Sequence, residues 1–134
     1  MPNATLIRSN DLAATPGYAY ASVIPAGARV VHLAGACPLD ADGTIAPRGD
    51  FAGQAAKCIE NMLIALDAAG GAISDIAYTR VLVASSQRDD LGAVWTVVRD
   101  AFAHHEVPST LFGVAALGYE DQLVEIEAVA AITD

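Results

Sequence analysis

The sequence predicts an α+β fold in which two helices cover one face of a β-sheet. Three observations carry this. Two segments place apolar residues at spacings of three and four, the mark of an amphipathic helix. Several short runs are rich in β-branched residues and are bounded by Gly, Pro and Asp, the mark of strands. The element order, β-β-β-α-β-α-β-β, suits helices packed together on one side of a sheet. At 134 residues the chain fits a single domain, 1–134.

ATLIRS (4–9) is a short first strand. YAYASVI (18–24) and RVVHLAG (29–35) are extended runs separated by PAGA, and they read as a hairpin. CPLDADGTIAPRGD (37–50) is a loop, with Asp42-Gly43 as a tight turn. From Asp50 to Ala69 the period changes. Phe51, Ala55, Cys58, Ile59, Met62, Leu63 and Leu66 form one helical face, with Asp50 as N-cap and Gly70-Gly71 as the stop. IAYTRVLVA (76–84) is a strand. A second helix runs from about Asp90 to His104, with Leu91, Val94, Val97, Val98, Ala101 and Phe102 inward. TLFGVAAL (110–117) and QLVEIEAVAAI (122–132) close the chain as two strands joined by GYED. The strands VVHLAGA and LVEIEAVAAI leave few polar positions for solvent, so the uncovered sheet face predicts a subunit partner.

Composition removes several classes of function. The formal net charge is −9, and the seven Lys and Arg residues are scattered. A nucleic-acid binder shows a basic stripe, so no nucleic-acid partner is expected. No apolar run reaches the length of a membrane span, and the N-terminus lacks the pattern of a signal peptide. The expectation is a cytoplasmic protein with no membrane association. Cys37 and Cys58 lack metal-ligand spacing and read as small, reduced hydrophobes. No metal and no cofactor is expected, since no phosphate loop, dinucleotide fingerprint or metal motif is present.

A few residues can carry chemistry. Glu125 and Glu127 are two apart in VEIEAVA and share a strand face. Two carboxylates on an apolar strand are costly unless paired or solvated. They are either an exposed or salt-bridged pair near a strand end, or one is a desolvated general acid/base. Tyr18 and Tyr20 alternate in PGYAYAS and share a face, lining a cleft or packing on the sheet. Trp95 sits at a core or rim position of the second helix. His32 reads as a packing residue, and His104 and His105 as complements to the helix C-terminal dipole.

The pieces PGYAYA, HLAGACPLD, DADG, QAAKCIENML, AAGGAISDI, VPSTLFGV and VEIEAVA occur in this order along nearly the whole chain. Together they resemble the Rid (YjgF-type) family of reactive intermediate deaminases. The resemblance implies a chorismate-mutase-like α+β fold, a homotrimer and three sites in the clefts between subunits. It implies cofactor-free hydrolysis of imines or enamines to carbonyl compounds and ammonia. The family's water-handling glutamate matches Glu125, and its early tyrosine matches Tyr18, with Tyr20 as the other candidate.

The sequence departs from the family pattern at the substrate clamp. The arginine of the family's P-A-R-[ST] loop, a two-pronged partner for a carboxylate, is Thr110 here, followed by Leu111. The S-G-Q turn is Ala34-Gly35-Ala36, and a polar helix position is Trp95. The candidate site is therefore Glu125 as the catalytic group, with Tyr18, Tyr20, Ala34, Trp95, Thr110 and Leu111 binding the ligand. Losing such a charge pair costs about 2–5 kcal/mol, so specificity is expected to move away from 2-imino acids. The competing reading is a trimer that binds a small molecule without turning it over. A chorismate-mutase-type isomerase rests on fold analogy alone, and its dianionic substrate needs cations that VPSTLFGV does not supply.

Overall fold

The computed structural model describes residues 3–134. The elements follow the predicted order: β1 (Thr5–Ile7), β2 (Ala21–Val23), β3 (Arg29–Ala36), α1 (Phe51–Ala68), β4 (Ile76–Val83), α2 (Arg88–Phe102), β5 (Ser109–Gly113) and β6 (Val124–Ile132), with a 3-10 turn at Ile73–Asp75 before β4. A four-stranded sheet has the order β3-β6-β4-β5. Its β3–β6 and β4–β6 pairs are antiparallel, and β4–β5 is parallel, with α2 as the crossover.

Both helices lie on one face of this sheet, as the element order predicts. Cys58, Met62 and Leu66 of α1 and Val94 and Val98 of α2 pack on Val81, Val83, Val124, Ile126 and Ala128. Helix α1 begins and ends where the capping residues indicate. The Asp50 side chain accepts from Gly53 N at 2.9 Å, and Gly70 takes φ +88° beyond the last turn. Helix α2 lies two residues earlier than predicted at both ends. Ser85 Oγ organises its start, accepting from Gln87 N at 3.0 Å and donating to Asp90 Oδ2 at 2.7 Å.

Four expectations are corrected. The runs 18–24 and 29–35 form no hairpin, although Gly27 turns the chain with φ +83°. β2 pairs with β1 in a separate two-stranded sheet, and β3 pairs with β6. Ser22 Oγ of β2 instead donates to the Ala77 carbonyl of β4 at 2.6 Å. The strand predicted over 110–117 stops at Gly113, because its partner β4 ends opposite, at Val83. His104 and His105 lie beyond α2. His105 Nε2 sits 2.7 Å from the Ile76 carbonyl and the ring stacks on Phe102, tying the helix end to the start of β4. The uncovered face of the sheet is also more polar than predicted, since His32, Tyr78, Arg80, Glu125 and Glu127 share it with Val30, Leu82 and Val129. No described helix is long and apolar enough to cross a membrane.

Candidate functional site

On β6, residues facing the helices alternate with residues on the uncovered face. Glu125 and Glu127 therefore share a side, opposite Leu82 and Arg80 of β4. Their surroundings differ. Glu127 lies 3.5 Å from Arg80 in a solvent-exposed pair. Glu125 has no cationic partner among the described residues. Its Oε1 accepts from Cys37 Sγ at 3.2 Å and from Gln122 Nε2 at 3.3 Å. The other oxygen runs alongside Gly35, where a Cβ would stand 2.5 Å from Oε2. Only a glycine lets β3 come this close to the carboxylate, and the β3–β6 register shifts between Leu33 and Ala36 at this point. Ala34 is exposed one residue away.

The Cys37 thiol is pushed up to about 11, first by burial, then by its hydrogen bond to Glu125 and that carboxylate's charge. Burial also raises Cys58, deep in the core. Cys37 is thus a protonated donor at neutral pH.

Two polar side chains of α1 hold this region together. Gln54 is fully buried. Its Nε2 donates to the carbonyls of Pro47 (2.9 Å) and Asp121 (3.0 Å), and its Oε1 accepts from Leu123 N at 2.8 Å. Asn61 Nδ2 donates to the carbonyls of Cys37 and Leu39, both at 2.9 Å. Helix α1 thereby fixes the chain on both sides of Glu125: the segment leading into β6 and the segment leaving β3. Gln54 and Asn61 are the uncharged polar positions of QAAKCIENML. Their residue types alone did not reveal a role, nor did those of Cys37 and Gln122.

A second cluster lies at the β5 edge. A cavity of about 460 Å³ is lined by Pro16, Tyr18, Trp95, Ser109, Thr110 and Leu111. No charged side chain lines it. The Tyr18 and Trp95 rings meet edge to face, with centroids 6.2 Å apart and planes at 79°. Trp95 Nε1 donates to the Pro16 carbonyl at 2.8 Å. Thr110 Oγ1 and the Tyr78 hydroxyl share a hydrogen bond at 2.9 Å. A larger hollow of about 520 Å³, beside Ser85, Arg88 and Gly113, contains none of the predicted site residues.

Within one chain the predicted residues thus fall into separate places. Tyr18, Trp95, Thr110 and Leu111 line one cavity. Glu125 and Ala34 stand together at the β3–β6 end. Tyr20 belongs to neither: its hydroxyl donates to the Ala13 carbonyl at 2.6 Å, beside a different surface hollow. Tyr18 and Tyr20 lie before β2 rather than in a strand, although their rings touch edge to face at 6.3 Å. No cluster of three or more His, Cys, Asp or Glu suited to a metal ion occurs among the described residues.

Comparison with known proteins identifies the family. The family model described as Endoribonuclease L-PSP matches residues 9–132. A Rid-family protein of unknown function, YyfB from Yersinia pestis, superposes with a TM-score of 0.89 at 25% identity, covering 97% of this chain and 99% of its own. Rv2704 from Mycobacterium tuberculosis, a member of the YjgF/YER057c/UK114 family, gives 0.65 at 27% identity, covering 96% and 99%. TdcF from E. coli, solved with bound serine, gives 0.67 at 26% identity, covering 90% and 91%. The match over nearly all of its length, on this sheet and these helices, shows that the chain belongs to the Rid (YjgF) family.

Proposed function

We propose that this protein hydrolyses small imines or enamines that carry no carboxylate, releasing ammonia, and that it does so as a homotrimer with sites between subunits. The observation that carries the reading is Glu125: a carboxylate held by Cys37 and Gln122 on the uncovered sheet face, with no cation among the described residues to neutralise it. A structural carboxylate on such a strand calls for an ion pair, as Glu127 has with Arg80. One without a pair suits a group that must accept a proton.

The uncovered face is where a neighbouring copy would sit. There, Glu125 of one protomer would meet the cavity of Tyr18, Trp95, Thr110 and Leu111 of the next. In the reaction, a water oxygen bonds to the imine carbon while Glu125 takes a proton from it. Glu125 hands that proton to the nitrogen, the carbon–nitrogen bond breaks as the remaining hydroxyl proton also passes to nitrogen, and ammonia leaves with the carbonyl compound as co-product. Water is the only co-reactant. Thr110 and the backbone groups of the edge strand β5 would hydrogen-bond the substrate, while the Tyr18 and Trp95 rings shape the uncharged wall of the pocket.

The chargeless cavity accounts for the altered specificity. Replacing a two-pronged carboxylate clamp by a hydroxyl costs about 2–5 kcal/mol, roughly 30- to several-thousand-fold in binding a 2-imino acid. The same feature favours the second reading, a trimer that binds a small molecule without reaction. RNA cleavage, the activity in the family model's description, is not our reading. Six of the seven basic residues are tied to acidic neighbours within 4.0 Å, and the net charge is −9.

The test is ammonia release from freshly generated imines with and without a carboxylate, using wild type and Glu125→Gln, with light scattering to report the assembly. Turnover of the carboxylate-free imines that Glu125→Gln abolishes supports the hydrolase. No turnover by either protein, with equal ligand binding by both, leaves the receptor.

A further inference from the structure

The cavity at the β5 edge has two aromatic walls and no charged one. The Tyr18 and Trp95 rings stand nearly perpendicular, at 79° and 6.2 Å. Perpendicular rings enclose a corner whose two sides are ring faces. Ring faces carry the negative end of the aromatic quadrupole. Such a corner attracts a cation and offers nothing to an anion.

The corner is held in place before any ligand arrives. Trp95 is fixed by its bond to the Pro16 carbonyl at 2.8 Å. The loop carrying Tyr18 is fixed by Thr15 Oγ1, which donates to the Tyr18 carbonyl, and by Ala19 N, which donates to the Glu106 carbonyl at 2.9 Å. Arg99, one turn along α2 from Trp95, lays its stem across Gly17 and turns its head to Asp100 at 3.4 Å. No described cation therefore lines the corner, and the net charge of −9 adds attraction of the same sign.

We propose that the Tyr18–Trp95 corner recognises the cationic nitrogen of a protonated imine lacking a carboxylate, a small organic cation. This deepens the hydrolase reading and rests on it for the chemistry. Protonation makes the imine carbon the better target for water. The water oxygen bonds to that carbon, the carbon–nitrogen bond breaks, both water protons end on nitrogen, and the positive charge leaves as ammonium. A pocket that selects the cation selects the reactive form. The rings do the work that the family's arginine does for a carboxylate, with the opposite sign.

Trp95 is the only tryptophan in the chain, so its fluorescence reports on this cavity alone. The experiment titrates the intact protein with three probes of one skeleton: choline, its uncharged carbon isostere dimethylbutanol, and the anionic dimethylbutanoate. It is done at low salt and at ~0.5 M salt, where the screening length is about 4 Å. We expect choline to bind about tenfold more tightly than dimethylbutanol, with the anion weakest. The preference persists at high salt, because a ring contact is short-ranged. It survives in Tyr18→Phe, which keeps the ring, and falls towards unity in Tyr18→Leu, with circular dichroism confirming that both fold.

Equal binding of choline and dimethylbutanol overturns the proposal. So does tightest binding of the anion, which would mean that an arginine reaches the cavity, or a preference that salt erases, which would belong to the field of the whole protein. Ammonia release on the same preparations separates this inference from the reading it rests on. Turnover without cation preference removes the corner and keeps the hydrolase. Cation preference without turnover keeps the corner as a cation site and removes the hydrolase.

Discussion

Cys37 Sγ lies 3.2 Å from Oε1 of Glu125, so the thiol donates to the carboxylate from the segment that follows β3. Burial and the adjacent negative charge hold the thiol up at about 11, against 9.0 ordinarily. The native state therefore binds this proton more tightly than the unfolded chain does. The thiol contributes stability that is fully present below the ordinary value and is lost as pH rises through about 11. At neutral pH its thiolate fraction is about a hundredfold below that of a free cysteine. Higher intrinsic nucleophilicity offsets part of that. Alkylation of Cys37 by iodoacetamide at neutral pH is expected to be about tenfold slower than for an exposed thiol, with Cys58 silent. Glu125→Gln removes the charge and speeds it. Mass-resolved alkylation rates check this; a fast Cys37 in the wild type would contradict the geometry.

Gly35 gives a second, sharper handle on the same carboxylate. A Cβ there would meet Oε2 at 2.5 Å, the carboxyl carbon at 2.6 Å and Cγ at 2.8 Å of Glu125. The whole side chain must move, not only its tip. We expect Gly35→Ala to cost about 1–3 kcal/mol in urea unfolding, the usual cost of overpacking, and to lower ammonia release at least as much as Glu125→Asp. An Ala variant with unchanged turnover would show that the position of Glu125 does not matter to the reaction.

How much of this was legible beforehand depended on how local each cause is. Helix α1 was readable because Phe51, Cys58, Met62 and Leu66 repeat on one face and Asp50 caps it. The same periodicity hid Gln54, a polar residue on the buried face whose partners Pro47, Asp121 and Leu123 converge only in three dimensions. The Pro/Gly turn at 25–28 is real. It turns the chain between two different sheets, because β3 gains more by pairing along β6 than by closing a hairpin on three-residue β2. Glu125 was singled out by charge in an apolar strand, and the family pattern agreed. That Cys37 and Gln122 would be its donors required the fold of the segments before and after it.

Gln54 should be the costliest polar residue to remove. From a fully buried side chain it satisfies two carbonyls and one N–H at the edge of the core. Gln54→Leu keeps the volume and leaves all three groups unpaired, so we expect a loss of about 3 kcal/mol or more in urea unfolding. Activity is expected to fall in the protein that remains folded, since the segment leading to Gln122 and Glu125 loses its tether. Leucine tolerated with less than about 1 kcal/mol would mean that water replaces the amide and that the tether is not needed.

Thr110→Arg tests the account of specificity directly. Thr110 faces the Tyr18–Trp95 cavity from the edge strand, and its only side-chain hydrogen bond among the described residues is with the Tyr78 hydroxyl at 2.9 Å. Tyr78 is half-buried and can turn to water, so the loss of that bond is mild. A guanidinium at this position would place a carboxylate partner on the same edge, next to an aromatic wall on which its plane can stack. The variant should raise kcat/KM for a carboxylate-bearing imine relative to a carboxylate-free one by about 30-fold or more. It should weaken choline binding at Trp95, because two cations then compete for one corner. Both shifts follow from a single charge. If the ratio of the two substrates does not move while the protein folds and still turns over, position 110 does not contact the substrate, and the site must be sought away from the β5 edge.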